Sequence, residues 1–148
     1  MCRSHATVRE LLGAVVAESK ELTVVDLEAG LENFSRGTPR HADTLLIVLE
    51  PYFKSLETGR RIAELGRELN TPRIAAVANK VRSSEDEAAI RQFAAAHEIS
   101  MAAVIPQDDA ILDADRSGRS PVDVAPHSPA VAAITKLAAA VANGSAKI

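Results

Sequence analysis

Four short apolar runs punctuate this chain, with amphipathic stretches between them. Leu22 to Val25 is β-branched and reads as a buried strand. Thr44 to Leu49 (TLLIVL), Arg73 to Ala78 (RIAAVA) and Met101 to Ile105 (MAAVI) are three more. Runs that are apolar on both faces suit parallel strands covered by helices. The stretches between them carry helical spacing. Thr7 to Lys20 places Val8, Leu11, Leu12, Val15 and Val16 on one face, with Thr7 and Glu10 as a capping-box pair. Lys54 to Leu69 lines up Ile62, Leu65 and Leu69. Ser84 to His97 opens on a second box, Ser84 and Glu87, and is expected to bury Ala89, Ile90, Phe93 and Ala94. A short helix is expected after Asp109. The last helix, Pro129 to Ala142, has Ser128 at its N-cap and Pro129 at its first position. Its apolar face is Val131, Ile134, Leu137, Ala138 and Val141, and Asn143-Gly144 ends it.

Strand and helix alternate almost throughout. The expected fold is therefore α/β, three layers with helices on both faces of a mainly parallel sheet. Such sheets bind ligands at the carboxyl ends of their strands. Four segments sit there: Asp26 to Gly30, Glu50 to Tyr52, Asn79 to Arg82, and Pro106 to Asp109. Asp26 is placed to hold a Mg²⁺-bound water, since Mg²⁺ takes only one or two carboxylates; the plain alternative is an aspartate that ends a strand. Gly30 lets its backbone N–H approach a phosphate oxygen closely, or simply makes a turn. Asn79 carries an amide that donates and accepts at once, matching the edge of adenine; the plain alternative is a polar loop start. Pro106 stiffens its turn, and Asp108 is placed to cap the helix that follows.

Composition narrows the function classes. The 148 residues suit one domain, and 47% apolar with 25% charged residues is ordinary for a globular one. A net charge of −3 leaves no electrostatic footprint for nucleic acid. The aromatics, Phe34, Tyr52, Phe53 and Phe93, are too few and too scattered for a base-stacking platform. No apolar run approaches the ~20 residues that a membrane helix needs. Cys2 is the only cysteine, so no disulfide forms within the chain, and a reducing, cytoplasmic setting is expected. Cys2 and His5 are too few for a closed zinc site, although a symmetric dimer would double the count. Lys54, Arg60 and Arg61 read as a solvated helix face.

Together, DLEAGLENFSRGT, ADTLLIVLEPYFKSLETGRRIAEL, AAVANKVR and AAVIPQDDAILDADRSGRSPVD resemble the CooC-type carbon monoxide dehydrogenase maturation ATPases. These belong to the MinD/ParA-like (SIMIBI) class of P-loop NTPases. The resemblance spans nearly the whole chain in order. It implies a parallel sheet with helices on both faces, binding of ATP or ADP with Mg²⁺, a homodimer formed around nucleotide, and help with nickel insertion into carbon monoxide dehydrogenase. It places Asp26, Glu28 and Gly30 in the switch II segment near Mg²⁺ and the γ-phosphate. Asn79 falls on the adenine-reading asparagine with Lys80 beside it, and Pro106 and Asp108 fall on the loop that closes over the base. Cys2 falls on the second cysteine of a Cys-x-Cys motif that holds Ni²⁺ or Zn²⁺ at the dimer interface.

Two features depart from that family. Asn33 stands where its members often have histidine. More seriously, none of the five lysines follows a glycine, so no G-x-x-x-x-G-K-[ST] loop is present to hold phosphates. The expectation is that residues 1–148 form one incomplete nucleotide-binding domain, the C-terminal part of a longer ATPase, with Met1 falling inside the metal motif. The phosphate-loop strand of such folds lies between the strands ending at Asp26 and at Leu49. Without it two inner edges are unpaired, and marginal stability with self-association is expected. Two other functions fit the residues: a non-catalytic α/β interaction module, and a general MinD/ParA-like positioning ATPase.

Overall fold

The TLLIVL run forms strand β1 (Thr44–Leu49), and its alternate residues Leu45, Ile47 and Leu49 are buried. Helix α1 (Phe53–Glu68) leads to β2 (Arg73–Val81), and α2 (Ser84–Ala96) leads to β3 (Ser100–Pro106). Helices α3 (Asp109–Arg116), α4 (Pro121–Val124) and α5 (Pro129–Ala142) follow. This is a computed structural model, and it describes residues 22–27 and 41–144. The strands form one parallel sheet in the order β1-β2-β3, so β2 is paired on both edges. Parallel order follows from the helical crossovers, which return the chain to the same end of the sheet each time.

One core cluster joins Leu45, Ile47 and Leu49 of β1 to Ala76, Ala78 and Val81 of β2, Ala63 of α1, and Ile90 and Ala94 of α2. Helices α1 and α2 therefore share one face of the sheet. Ala75 and Val77, the alternate residues of β2, are buried outside that cluster, as are Ala130 and Val131 of α5, which packs on β3. By strand alternation these form the other face. The architecture is three-layer α/β/α, as the sequence pattern implies. Among the described residues no helix is long and apolar enough to cross a membrane.

Helix α1 approaches β1 through glycine, which its apolar spacing did not signal. The residues it buries are Gly59, Ala63 and Gly66, while Ile62, Leu65 and Leu69 only flank the core. Helices α1, α2 and α3 close in the same way. A residue with positive φ, Asn70, Glu98 or Gly118, follows each C-cap. The next amide then returns to the last turn, from Thr71 to Gly66 O, Ile99 to Ala94 O and Arg119 to Ala114 O. This satisfies carbonyls that would otherwise be orphaned. Arg67 of α1 donates to the exposed carbonyl of His97 at 2.6 Å and so ties the ends of α1 and α2 together.

Several expectations need correction. Leu22 to Val25 joins no strand: it pairs with no ladder among the described residues, and Val24 is 80% exposed. A β-branched run without a hydrogen-bonded neighbour has nothing to hold it as sheet. The N-cap of α2 is Ser83, not Ser84; its hydroxyl accepts from the Asp86 amide at 3.2 Å. The serine whose backbone is extended takes the cap, and that is one residue earlier. Ala89 is exposed, as are Ile134 and Ala138 of α5, which anchors through Ala130 and Val131 near its N-terminus. The strands run further than their apolar cores, β2 to Val81 and β3 from Ser100 to Pro106. The Thr7 to Lys20 helix, Cys2, Glu28, Gly30 and Asn33 lie outside the described residues.

Candidate functional site

All three strands point the same way, so their carboxyl ends form one edge carrying Glu50, the Asn79-Lys80 pair and the Pro106 to Asp108 loop. Register makes this specific. Leu49 pairs with Ala78, which puts Glu50 and Asn79 next in line on neighbouring strands. Ala78 pairs with Val104 and Val81 with Pro106, so Asn79 and Lys80 together face the single residue Ile105. That is a β-bulge, an uncommon feature in a parallel pair, and bulges re-aim side chains at strand ends. Lys80 takes it up with a φ of 54°. The bulge also reverses the alternation of β2. Ala76 and Ala78 share the α1/α2 face, yet so does the odd-numbered Val81.

Polar contacts hold this edge together. Lys80 Nζ meets a Glu50 carboxylate oxygen at 2.9 Å, linking the ends of β1 and β2. The hydrogen bond and then the charge of Glu50 raise the Lys80 ammonium above the usual lysine value. Glu50 itself is fixed from behind: its N–H donates to Ser55 Oγ at 2.9 Å, in the first turn of α1. The Gln107 amide donates to Val81 O at 2.8 Å and closes the sheet beyond the bulge. The Asn79 side chain takes no hydrogen-bond partner among the described residues, and Asn79 is half-buried.

Asp108 is committed to the backbone. One carboxylate oxygen accepts from the Ala110 amide at 3.0 Å, capping α3. The other accepts from the Ala130 amide at 3.1 Å, at the start of α5. The Ala130 and Ala110 amides, in that order, hold its carboxyl below the ordinary value, with a smaller contribution from the Ser128 hydroxyl. A cap for α3 was legible in the sequence; the second bond, 22 residues away, was not. The pH consequence has a definite sign. A carboxyl depressed in the folded state stabilises the fold above its ordinary value of 3.8, and that stabilisation is lost as pH falls through the lower folded value. Asp108→Asn keeps a capping side chain but does not titrate. Its melting midpoint should fall less than that of the parent between about pH 6 and about pH 3. Equal falls in the two proteins would show that Asp108 does not contribute to acid sensitivity.

Asp26 lies outside the sheet. It is exposed, in no regular element, next to Leu27, which packs on the core. Among the described residues no group of three His, Cys, Asp or Glu side chains stands ready to hold a metal ion. A lone exposed carboxylate suits Mg²⁺ as one ligand beside water and phosphate, not as a closed site. The structure thus brings Asn79, Lys80, Pro106 and Asp108 to one edge and adds Glu50, expected at a strand end but without an assigned role. Among the described residues no hydrogen bond or ion pair joins Asp26 to them. The signal for the bulge was a polar pair, Asn79-Lys80, set between Ala78 and Val81. Arg60 and Arg61, read as a solvated face, both bind Glu57 along α1 and lower its carboxyl to about 2.

Comparison with known proteins gives a consistent answer. The chain is 40% identical over 126 residues to the carbon monoxide dehydrogenase accessory protein CooC of Rhodospirillum rubrum, covering 85% of this chain and 47% of that protein. It is 29% identical over 119 residues to an uncharacterized ATP-binding protein of Methanocaldococcus jannaschii, covering 80% of this chain and 46% of the relative. The chain spans about half the length of the curated relatives it matches. Among solved structures, the septum site-determining protein MinD of Pyrococcus horikoshii OT3, complexed with Mg-ADP, superposes with a TM-score of 0.76 at 21% identity. That match covers 96% of this chain and 58% of the other. No protein-family model matches.

Proposed function

We propose, for a chain that belongs to the CooC-type, MinD/ParA-like family of ATPases, that its strand-end edge reads the adenine base of ATP or ADP. The observation that carries this reading is Asn79, held at a bulge on the ligand-binding edge with no partner for its amide among the described residues. An amide so placed donates to and accepts from one edge of adenine. Pro106 and Asp108 shape the loop beside it, and Asp108 acts by fixing the loop backbone, since both its oxygens are engaged. Asp26, with Glu28 and Gly30, serves the Mg²⁺-phosphate side, where bound Mg²⁺ would neutralise phosphate charge. Hydrolysis calls for a lysine in a glycine-rich loop, and the 148 residues contain none. The role proposed for this chain is therefore nucleotide recognition within such an ATPase.

For the wider role we propose help with maturation of carbon monoxide dehydrogenase, after the accessory protein of Rhodospirillum rubrum that this chain resembles. From the family resemblance, and not from that relative's name, we add delivery of nickel by a homodimer in which Cys2 contributes a ligand for Ni²⁺ or Zn²⁺.

The test is calorimetric titration of the chain with adenosine and with guanosine, each with Asn79→Ala as control. Adenosine should bind more tightly than guanosine, and Asn79→Ala should weaken adenosine by about tenfold, within the range of one paired amide contact. Equal affinity for both bases, or an unchanged Asn79→Ala variant, defeats the reading. A folded chain that binds neither nucleoside would favour the non-catalytic interaction module instead.

A further inference from the structure

We infer that Glu50 is a positioning residue for the Asn79 amide, acting through Lys80. This rests on the nucleoside-binding reading for its purpose, though its geometry stands apart from it. Lys80 holds a φ of 54°, a conformation disfavoured for any residue with a Cβ. Such residues persist where their surroundings hold them in place. Two contacts do so here. Beyond the bulge, the Gln107 amide closes on Val81 O at 2.8 Å. Across the strand ends, Lys80 Nζ reaches the Glu50 carboxylate at 2.9 Å.

Glu50 is suited to anchor a neighbour because it is anchored itself. Its N–H is held by Ser55 Oγ, and its carbonyl accepts the Tyr52 amide at 2.8 Å, so its backbone is tied to the start of α1. Its side chain is only 26% exposed, against 56% for Lys80. The fixed partner is therefore Glu50 and the one being held is Lys80. Asn79 is the other residue of the same bulge, so the torsion at Lys80 governs the direction in which strand β2 presents its amide. The pair links the β1 and β2 ends of the site, as Asp108 links the β3 end to α5.

The test uses the ¹⁵N-labelled protein in two variants, Glu50→Gln and Glu50→Gln with Lys80→Gly. In Glu50→Gln the Asn79 side-chain amide should shift, and exchange of the Gln107 amide should quicken by about two- to fivefold, the scale of one exposed ion pair. The melting midpoint should barely move. Adding Lys80→Gly should restore both signals, because glycine adopts positive φ without support. Unchanged Asn79 and Gln107 signals in Glu50→Gln overturn the inference, as does a failure of glycine to restore them. Adenosine titration of the same samples keeps the two ideas apart. If the parent binds adenosine, Glu50→Gln should weaken it by a similar factor, and undiminished binding overturns the role of Glu50. If the parent binds none, the nucleoside reading fails, while the amide signals still decide whether Glu50 positions Asn79.

Discussion

Truncating Leu49 to alanine should destabilise the protein by about 2–5 kcal/mol, the usual loss for a buried leucine. Leu49 is fully buried and ends β1 against α1. Its removal leaves a cavity that rigid neighbours on both sides cannot collapse into. Small domains hold only about 5–15 kcal/mol in total, so the loss is a large share. Urea unfolding gives the measure. The midpoint should drop steeply with the slope unchanged, as for a loss of stability without a change in the unfolded chain. A midpoint within error of the parent would mean that Leu49 is not the core residue its burial indicates.

Gly59→Val should be nearly as damaging, for the opposite reason. A Cβ at Gly59 would lie 2.2 Å from Leu49 Cδ2 and 3.4 Å from Ile47 Cγ2. The first distance is far inside van der Waals contact, and Leu49 has no exposed side to retreat to. Overpacking of this kind costs about 1–3 kcal/mol. Better helix propensity than glycine returns only about half a kcal/mol. The two substitutions should compensate, since valine at 59 fills the space that alanine at 49 vacates. The double variant should lie within about 1.5 kcal/mol of the parent, as for other volume-conserving exchanges. Residues in contact are expected to couple in this way. Simple addition of the two losses would show that α1 does not meet β1 through Gly59.

The alternation of apolar runs and amphipathic stretches makes the α/β layering readable from the sequence alone. Strands at Thr44 to Leu49, Arg73 to Ala78 and Met101 to Ile105 appear where the runs lie, because a segment apolar on both faces has few other places to go. Local capping chemistry was also readable. Ser128 and Asp108 cap the helices that follow them, since an N-cap needs only neighbours in sequence. The resemblance to CooC-type proteins was legible for the same kind of reason: four motifs kept their order along the chain.

Other features depend on contacts between residues far apart in sequence. Leu22 to Val25 has the composition of a strand, but a strand exists only through its partner, and no pattern within a segment supplies one. The close approach at Gly59 and Gly66 ran against the sequence reading, because a missing side chain carries no hydrophobic signal. It becomes informative only when β1 lies 2–3 Å from where a Cβ would be. The second bond of Asp108 and the pairing of Glu50 with Lys80 cross between elements that the sheet alone brings together. Sequence thus fixed which segments are strands and helices wherever hydrophobic burial and nearest-neighbour caps decide. Folding decided how the edge is built: the bulge at Asn79 and Lys80 depends on register against β3, and register is a property of paired strands, not of either strand alone.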